Sequence, residues 1–369
     1  MRKVLIFLSL ITLINSPSLA QQSRKLFRVG VAGLTHGHVH WILNRAHDGD
    51  IEIVGIAESD RVLAEQLLNQ YKLPLSLLHT SLEVMLEKTT PEAVTAFGNT
   101  FDHLAVVKAC APRGVHVMVE KPLAVSLDHA KQIQQLAAKH AVHVLTNYET
   151  TWYGSNLKLE ELFMKTQTYG PIRKMVIHDG HQGPKEIGVG KEFLTWLVDP
   201  VKNGGGALMD FGCYGANLST WLMNGKRPRS VVAITQQIKP DIYPLVEDEA
   251  TIIVTYANTQ TIIQASWNWP FGRKDIEVYG ARGYAIADRQ GSRVKAKENE
   301  PEEFFSAPVL EKPFHDPFAY LAAVVRKEIK VAPTDLSALE NNMIVMEILD
   351  AAKQSAKEGR VIFLKENRK

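Results

Sequence analysis

Cysteine, excess charge and long apolar runs are all scarce in this chain of 369 residues. The only cysteines, Cys110 and Cys213, lie far apart within helical patterns, so we expect two buried thiols rather than a disulfide. Lys and Arg number 42 against 40 Asp and Glu. This balance gives no electrostatic support for a nucleic-acid or acidic-membrane partner.

The N terminus has the pattern of a secretory signal peptide. Arg2 and Lys3 precede an apolar run over 4–14, and Ser18-Leu19-Ala20 places small residues where signal peptidase acts. The run is shorter than the roughly 20 apolar residues that span a bilayer, so we expect no stable membrane insertion. The sequence thus predicts a signal peptide over 1–20, cleavage near Ala20, and a periplasmic or secreted protein.

The remaining chain is long enough for two domains. Residues 26–148 alternate short apolar runs with amphipathic stretches, which is typical of βαβ units. Predicted strands there are 27–32, 51–57, 93–96, 115–119 and 142–146. Residues 149–334 contain helices and then alternating runs at 230–238, 249–256, 260–267, 275–280 and 284–288. Residues 335–369 form a C-terminal helix and a short apolar run.

The predicted fold class is therefore α/β. An N-terminal Rossmann-like, doubly wound parallel sheet is followed by a C-terminal α+β domain with a large, mainly antiparallel open sheet.

The turn after the first strand contains Gly33, Thr35, His36, Gly37 and His38. Only one glycine of the dinucleotide fingerprint is present, so the motif is weak by itself. Glu58 ends the next strand, where a carboxylate can bind both ribose hydroxyls and repel a 2′-phosphate. These positions favour NAD over NADP.

Three histidines alternate at positions 36, 38 and 40. Three alternatives are open. The histidines are packing residues, or His36 contacts the cofactor or substrate, or the histidines bind a metal ion. Residues two apart on a helix point roughly 200° away from each other, so we predict no metal site once the helix has begun.

Two further segments place polar side chains in a cleft. Lys121 follows a parallel strand, at the sheet edge where ligands of such folds bind, and Pro122 restricts its backbone. Asp210, Tyr214 and Asn217 have i, i+4 and i+7 spacing, which predicts one face of one helix. Solvent exposure is the alternative, but the intervening residues are apolar or small.

Together with Glu120-Lys121-Pro122, the loop 99–103, the segment 204–214 and the ending 355–359 make the chain similar to the Gfo/Idh/MocA oxidoreductases. The resemblance implies an NAD(H)-dependent enzyme that transfers hydride to or from a hydroxyl or keto group of a sugar, glycoside or polyol. It also implies a frequently cis Lys-Pro bond, and a homodimer or homotetramer formed through the open sheet. Many family members have His where this chain has Tyr214.

For the reaction that this resemblance implies, we expect three catalytic roles. Tyr214 removes the hydroxyl proton, Lys121 stabilises the developing alkoxide, and Asp210 orients both Lys121 and the substrate. We expect the neighbouring ammonium to favour ionised Tyr214. Predicted cofactor contacts are Gly33, Thr35, His36, Gly37, His38, Glu58, Asn99, His103, Glu120 and Lys121. Predicted substrate contacts are Asn147, Glu149, Trp152, His181, Trp196 and Asn217. Trp267 and Trp269 are expected in the core or an interface.

Export complicates this interpretation, because free NAD is not expected outside the cytoplasm. The family includes members that retain their cofactor and recycle it with a second substrate, and others that cleave glycosides without net oxidation. A redox-neutral reaction with tightly bound NAD is therefore the alternative. A non-catalytic sugar or cofactor sensor is the second alternative.

Overall fold

The computed structural model describes residues 25–365. The predicted signal peptide lies outside the described residues. Among them, no helix has both the length and the apolar character needed to cross a membrane.

The first sheet confirms the predicted Rossmann-like topology. Its six parallel strands have the order β3-β2-β1-β4-β5-β6, which is that of a doubly wound dinucleotide-binding sheet. The strands are β1 (Phe27–Ala32), β2 (Ile51–Ala57), β3 (Leu78–His79), β4 (Ala93–Ala96), β5 (His116–Glu120) and β6 (Val144–Asn147). The helices between them are α1 (Val39–Arg45), α2 (Arg61–Gln70), α3 (Leu82–Lys88), α4 (His103–Cys110) and α5 (Leu127–His140).

The second sheet confirms the predicted mainly antiparallel sheet. Its nine strands have the order β14-β13-β12-β11-β7-β10-β9-β8-β15, and only β10 and β7 pair in parallel. The strands are β7 (Ile172–Gly180), β8 (Ser230–Gln236), β9 (Glu249–Thr255), β10 (Gln260–Ser266), β11 (Arg273–Gly280), β12 (Tyr284–Ala287), β13 (Gly291–Lys295), β14 (Glu303–Ser306) and β15 (Ile362–Phe363).

The remaining helices are α6 (Asn156–Leu159), which continues as a π-helix to Lys165, then α7 (Lys191–Leu197), α8 (Ala207–Asp210), α9 (Gly212–Leu222), α10 (Pro317–Val325) and α11 (Leu339–Glu358). Helix α11 packs against α5, α9 and β8, and so joins the two sheets. The two cysteines are free and buried, as expected.

One helix that was predicted to be continuous is interrupted. The segment with Asp210, Tyr214 and Asn217 is broken at Phe211, whose backbone angles of φ −109° and ψ −32° depart from helical values. Asp210 therefore ends α8, while the other two residues belong to α9. The i, i+4, i+7 spacing does not place the three side chains on one helix face.

Helix α10 packs away from the second sheet. Its side chains Phe318, Leu321 and Val324 are buried in the same apolar cluster as Phe27 and Phe97 of the first domain. The first core is thus completed by residues near the end of the chain, although the predicted boundary at 334 assigned them to the second domain.

Candidate active site

The glycine turn after β1 requires glycine at one position. Gly33 has φ +80°, and a Cβ added there would lie 2.6 Å from the backbone nitrogen of Gly98. The left-handed conformation and the close approach each exclude a side chain. The turn thereby lies against the end of β4.

A cavity of about 360 Å³ opens beside this turn, at the carboxyl ends of β1, β2 and β4. Gly33, Thr35, Glu58, Asn99 and His103 all line it. Its size and its place in a doubly wound sheet suit a nucleotide. These five predicted cofactor contacts therefore lie together.

Glu58 also stabilises the turn itself. Its Oε2 accepts a hydrogen bond from the backbone N–H of Leu34 at 2.9 Å, and its Oε1 accepts one from Asp60 at 2.9 Å. Oε1 also accepts a longer hydrogen bond from the Ser59 hydroxyl at 3.5 Å, whereas Oε2 keeps a second lone pair for a ribose hydroxyl. The carboxylate thus has a structural role beside the predicted one.

His36 and His38 face each other, contrary to the helical geometry expected for them. Helix α1 begins only at Val39, so both residues lie in the turn, with ring centroids 4.7 Å apart. Glu120 lies beside them, with its Oε2 2.9 Å from His38 Nδ1 and 3.9 Å from His36 Nε2. His40 lies on the helix and contacts Tyr71 instead.

His36, His38 and Glu120 are spaced like metal ligands, but the tautomer of His36 opposes that role. His36 Nδ1 accepts a hydrogen bond from the backbone N–H of His38 at 3.0 Å. Burial lowers the pKa of His36 well below its ordinary value, so the neutral ring carries its proton on Nε2. That nitrogen lies 3.9 Å from Glu120 Oε2, too far for a hydrogen bond, and has no hydrogen-bond partner among residues 25–365.

Glu120 is held in place from its other side by Asn147. The Asn147 side-chain amide donates to Glu120 Oε1 at 2.7 Å and accepts from Trp152 Nε1 at 2.9 Å. Burial opposes ionisation, but the neighbouring His38 and His36 and the hydrogen bonds from His38 and Asn147 lower the pKa of Glu120 to about 2. Asn147 and Trp152, predicted to contact substrate, instead use their polar groups to position Glu120.

Lys121 and Asp210 form a buried ion pair between the two domains. Lys121 Nζ contacts the Asp210 carboxylate and also donates to the Asp210 carbonyl oxygen at 3.1 Å. Trp267 Nε1 donates to Asp210 Oδ2 at 3.0 Å. Burial lowers the pKa of Lys121, but the Asp210 charge outweighs it and raises that pKa above its ordinary value. The same pairing overcomes burial and lowers the pKa of Asp210.

Tyr214 lies next to this pair and is 1% exposed. Its ring centroid is 5.3 Å from Lys121 Nζ and 4.7 Å from Lys274 Nζ. Burial, reinforced by the Glu149 charge, raises the pKa of Tyr214 well above its ordinary value. The expected ionisation of Tyr214 is therefore wrong, because burial outweighs the neighbouring ammonium groups. The side chain is a neutral phenol that can donate a hydrogen bond.

A second cavity, of about 670 Å³, is lined by Glu149, Tyr153, His181 and Lys274, the last of which contacts the Tyr214 ring. Glu149 pairs with Lys274 and accepts from the Tyr153 hydroxyl at 2.8 Å. Burial lowers the pKa of His181 to about 4, and its Nδ1 accepts from Gly183 N–H at 2.9 Å. The neutral ring therefore presents an Nε2–H donor. Glu149 and His181 lie where substrate contacts were predicted.

Two predicted substrate residues lie elsewhere. Asn217 is fully buried and donates to the Leu336 carbonyl at 2.8 Å, so it joins α9 to the chain before α11. Trp196 packs on the glycine turn, 5.9 Å from the His36 ring, and Phe193 lies 4.8 Å from the same ring. These aromatic rings cover the His36 end of the glycine turn.

Three residues of the site escaped prediction from sequence. Trp267 was expected in the core, and it is buried there, but its indole N–H binds Asp210. Lys274 and Asp179 are Cα partners on neighbouring strands β11 and β7. The sequence does show a charged residue within each of these strands. Which face of the sheet that residue lies on can be inferred only when the strand register is known.

The sequence matches two family models. Residues 27–148 match an oxidoreductase family with an NAD-binding Rossmann fold, and residues 162–286 match the GFO/IDH/MocA C-terminal domain. Together the two models cover more than half of the chain.

Characterised relatives are distant in sequence. A trans-1,2-dihydrobenzene-1,2-diol dehydrogenase of Xenopus tropicalis is 24% identical over 83% of this chain and 90% of its own length. A 1,5-anhydro-D-fructose reductase of Ensifer adhaerens is also 24% identical, over 56% of this chain and 60% of its own.

Solved structures share the fold at lower identity. An aldose-aldose oxidoreductase from Caulobacter crescentus, complexed with glycerol, superposes with a TM-score of 0.77, 18% identity and coverage of 92% of this chain and 100% of that one. An inositol dehydrogenase homolog from Azotobacter vinelandii, complexed with NAD⁺, gives a TM-score of 0.77 at 17% identity, covering 92% and 98%. At such identities the likeness establishes the fold alone.

Proposed function

Because the chain belongs to the GFO/IDH/MocA oxidoreductase family, we propose that it interconverts a hydroxyl and a keto group on a sugar, glycoside or polyol, with Lys121 as the proton-transferring residue. The observation that carries this proposal is the buried Lys121–Asp210 pair beside neutral Tyr214. The nucleotide-sized cavity lies at the end of β4, next to the strand that Lys121 follows, and Lys274 of the polar cavity lies beside Tyr214. One relative is named for the oxidation of a 1,2-diol, and another for the reduction of a sugar derivative, 1,5-anhydro-D-fructose.

The first cavity fits a nicotinamide dinucleotide. His103 lines it, donates through Nδ1 to the Leu123 carbonyl at 3.2 Å, and leaves its buried Nε2 without a partner among residues 25–365. A ribose hydroxyl of a bound dinucleotide would supply the missing donor. Glu58 favours NAD over NADP by charge repulsion. When bound, the nicotinamide accepts or supplies the hydride.

The protonation states favour carbonyl reduction near neutral pH. Lys121 is an ammonium and can give a proton to the substrate oxygen, while the Tyr214 hydroxyl donates a hydrogen bond to that same oxygen. Asp210 keeps the ammonium in position. Oxidation of the alcohol requires one of these groups to lose its proton first, so the rate of oxidation should rise with pH.

The test is absorbance of the reduced nicotinamide after purified protein is mixed with NADH and a panel of keto sugars, or with NAD⁺ and the alcohols. Lys121→Met should abolish turnover. The control is Lys297→Met, which removes an exposed lysine that pairs with Glu300 on the surface. Unchanged turnover in Lys121→Met would contradict the assignment, and sugar binding without turnover in the wild type would favour a sensor.

The captive-cofactor alternative has one supporting observation. Phe193 and Trp196 of α7 cover the His36 end of the glycine turn, which would slow cofactor release. Mass spectrometry of small molecules released on denaturing the protein tests it. Retained NAD supports a redox-neutral reaction, and its absence counts against one.

Export remains a proposal that rests on the pattern of residues 1–20. N-terminal sequencing of the protein recovered from the periplasm or medium tests it. A mature terminus near Gln21 is expected, and an intact N terminus inside the cell contradicts it.

A further inference from the structure

Lys353, near the end of α11, bridges the two segments that carry the buried ion pair. Its Nζ donates to the Val125 carbonyl oxygen at 2.9 Å and to the Gly204 carbonyl oxygen at 3.3 Å. Val125 follows Lys121 by four residues in the first domain, and Gly204 precedes Asp210 by six residues in the second. One side chain thus connects the two halves of the site.

The two bridged loops also contact each other directly. Gly204 has φ +84°, and a Cβ added to it would lie 2.7 Å from the Val125 carbonyl oxygen. The left-handed backbone and the close approach both require glycine at this position. The Lys353 ammonium offsets the partial negative charges of the two carbonyl oxygens that it binds, and these oxygens repel each other when it is removed. Loss of the ammonium should therefore let the two loops move apart.

Each loop is firmly connected to its member of the ion pair. In the first domain, the whole stretch 122–125 after the catalytic lysine is buried. In the second domain, Glu247 Oε1 accepts from the backbone N–H groups of Gly206 at 2.8 Å and Leu208 at 3.2 Å. Asp210 ends the short helix α8 that follows this contact. A shift of either loop therefore moves one member of the pair relative to the other.

The charge of Lys353 has a cost that an uncharged side chain would avoid. Burial lowers the pKa of Lys353, and the charges of Asp350 and Glu247 act in the opposite direction. An apolar side chain of similar length, such as methionine, would fill the space of the lysine stem without this cost. The bridge between the two carbonyl groups is what the ammonium supplies in return.

We propose that Lys353 is a positioning residue, which fixes the separation of Lys121 and Asp210 by holding together the two segments that carry them. Lys353 lines neither of the two cavities of the site, so it acts on turnover only through the pair. Lys121 must lie within hydrogen-bond reach of the substrate oxygen to transfer a proton, and a displacement of about 1 Å can cost about a hundredfold in rate. This inference rests on the proposed function.

The test measures the reduction by NADH of a keto sugar that the wild type turns over. In Lys353→Met, which keeps an apolar stem and removes the ammonium, kcat should fall at least about tenfold. The Kd for NADH should not change, because Lys353 does not line the nucleotide-sized cavity. Lys353→Arg, whose guanidinium can donate to both carbonyl oxygens, should keep most of kcat. The matched control is Lys357→Met, which changes an exposed lysine in the last turn of the same helix and should leave kcat unchanged.

The solvent deuterium isotope effect on kcat separates positioning from a general loss of structure. A displaced Lys121 slows proton transfer, so the isotope effect should be larger in Lys353→Met than in the wild type. Urea unfolding shows whether each variant is folded. Gly204→Ala is a second route to the same displacement, because its methyl group would push the loop away from Val125. It should also lower kcat and raise the isotope effect.

An unchanged kcat in either folded variant, or a lowered kcat with an unchanged isotope effect, would overturn the positioning role while leaving the proposed reduction intact. No turnover of any keto sugar by the wild type would count against the proposed function itself, and the inference would fall with it.

Discussion

Separating Lys121 from Asp210 should cost far more than removing both charges together. Neither side chain is more than 7% exposed, and Trp267 is the other side-chain donor that contacts the Asp210 carboxylate. In Lys121→Met the Asp210 carboxylate is left buried without a counter-charge. In Asp210→Asn the Lys121 ammonium is left in the same state. Loss of one partner of a buried pair typically costs about 3–5 kcal/mol, whereas replacement of both by neutral groups is often nearly neutral.

The double variant Lys121→Met/Asp210→Asn should therefore be more stable than the sum of the single changes predicts, by at least about 2 kcal/mol. Urea unfolding of the wild type, both single variants and the double variant gives this coupling energy. Hydride transfer should be lost in the Lys121→Met and double variants, so recovered stability without recovered turnover separates the structural role from the chemical one. Additive losses of stability would refute the argument that the pair shields two buried charges.

Three further variants test separate parts of the site. Glu120→Gln should remove a contribution of about 3 kcal/mol, since the histidines and the Asn147 hydrogen bond overcome burial and move the Glu120 pKa from 4.5 to about 2. In the wild type this contribution is present above the unfolded pKa and is lost as pH falls towards 2, so the two proteins should converge in acid unfolding; parallel pH profiles would contradict the pairing. Asn217→Ala should lower stability by about 1–3 kcal/mol with no change in KM, and a raised KM would return Asn217 to the substrate site. Glu58→Gln should raise kcat/KM with NADPH relative to NADH, because it removes the charge that repels a 2′-phosphate; an unchanged ratio would remove Glu58 from cofactor selection.

Local sequence patterns were sufficient for the fold class. The strands at Phe27–Ala32, Ile51–Ala57 and Ala93–Ala96 have the predicted bounds, because buried parallel strands are short continuous apolar runs with turn residues at their ends. Ser126 caps α5 by accepting from the His129 N–H at 3.2 Å, as expected for a Ser just before an amphipathic stretch.

Residues of the site were predictable only where the local sequence around them determines their position. Lys121 was predicted because the strand before it and Pro122 after it determine its position at the edge of the sheet. Asn217 was misplaced because helical spacing says nothing about the break at Phe211 or about the Leu336 carbonyl that binds the Asn217 amide. Asp179 and Lys274 become neighbours only through the pairing of β7 with β11, which lie almost one hundred residues apart in the sequence.

The burial of α10 in the first core bears on how the protein is made. The ribosome releases residues 26–148 long before it releases Pro317–Val325, yet Phe318, Leu321 and Val324 complete the apolar cluster around Phe27 and Phe97. The nucleotide-binding half therefore cannot reach its final packing during early translation. If the chain is exported unfolded, this late closure leaves the first half open until nearly all of the protein has crossed.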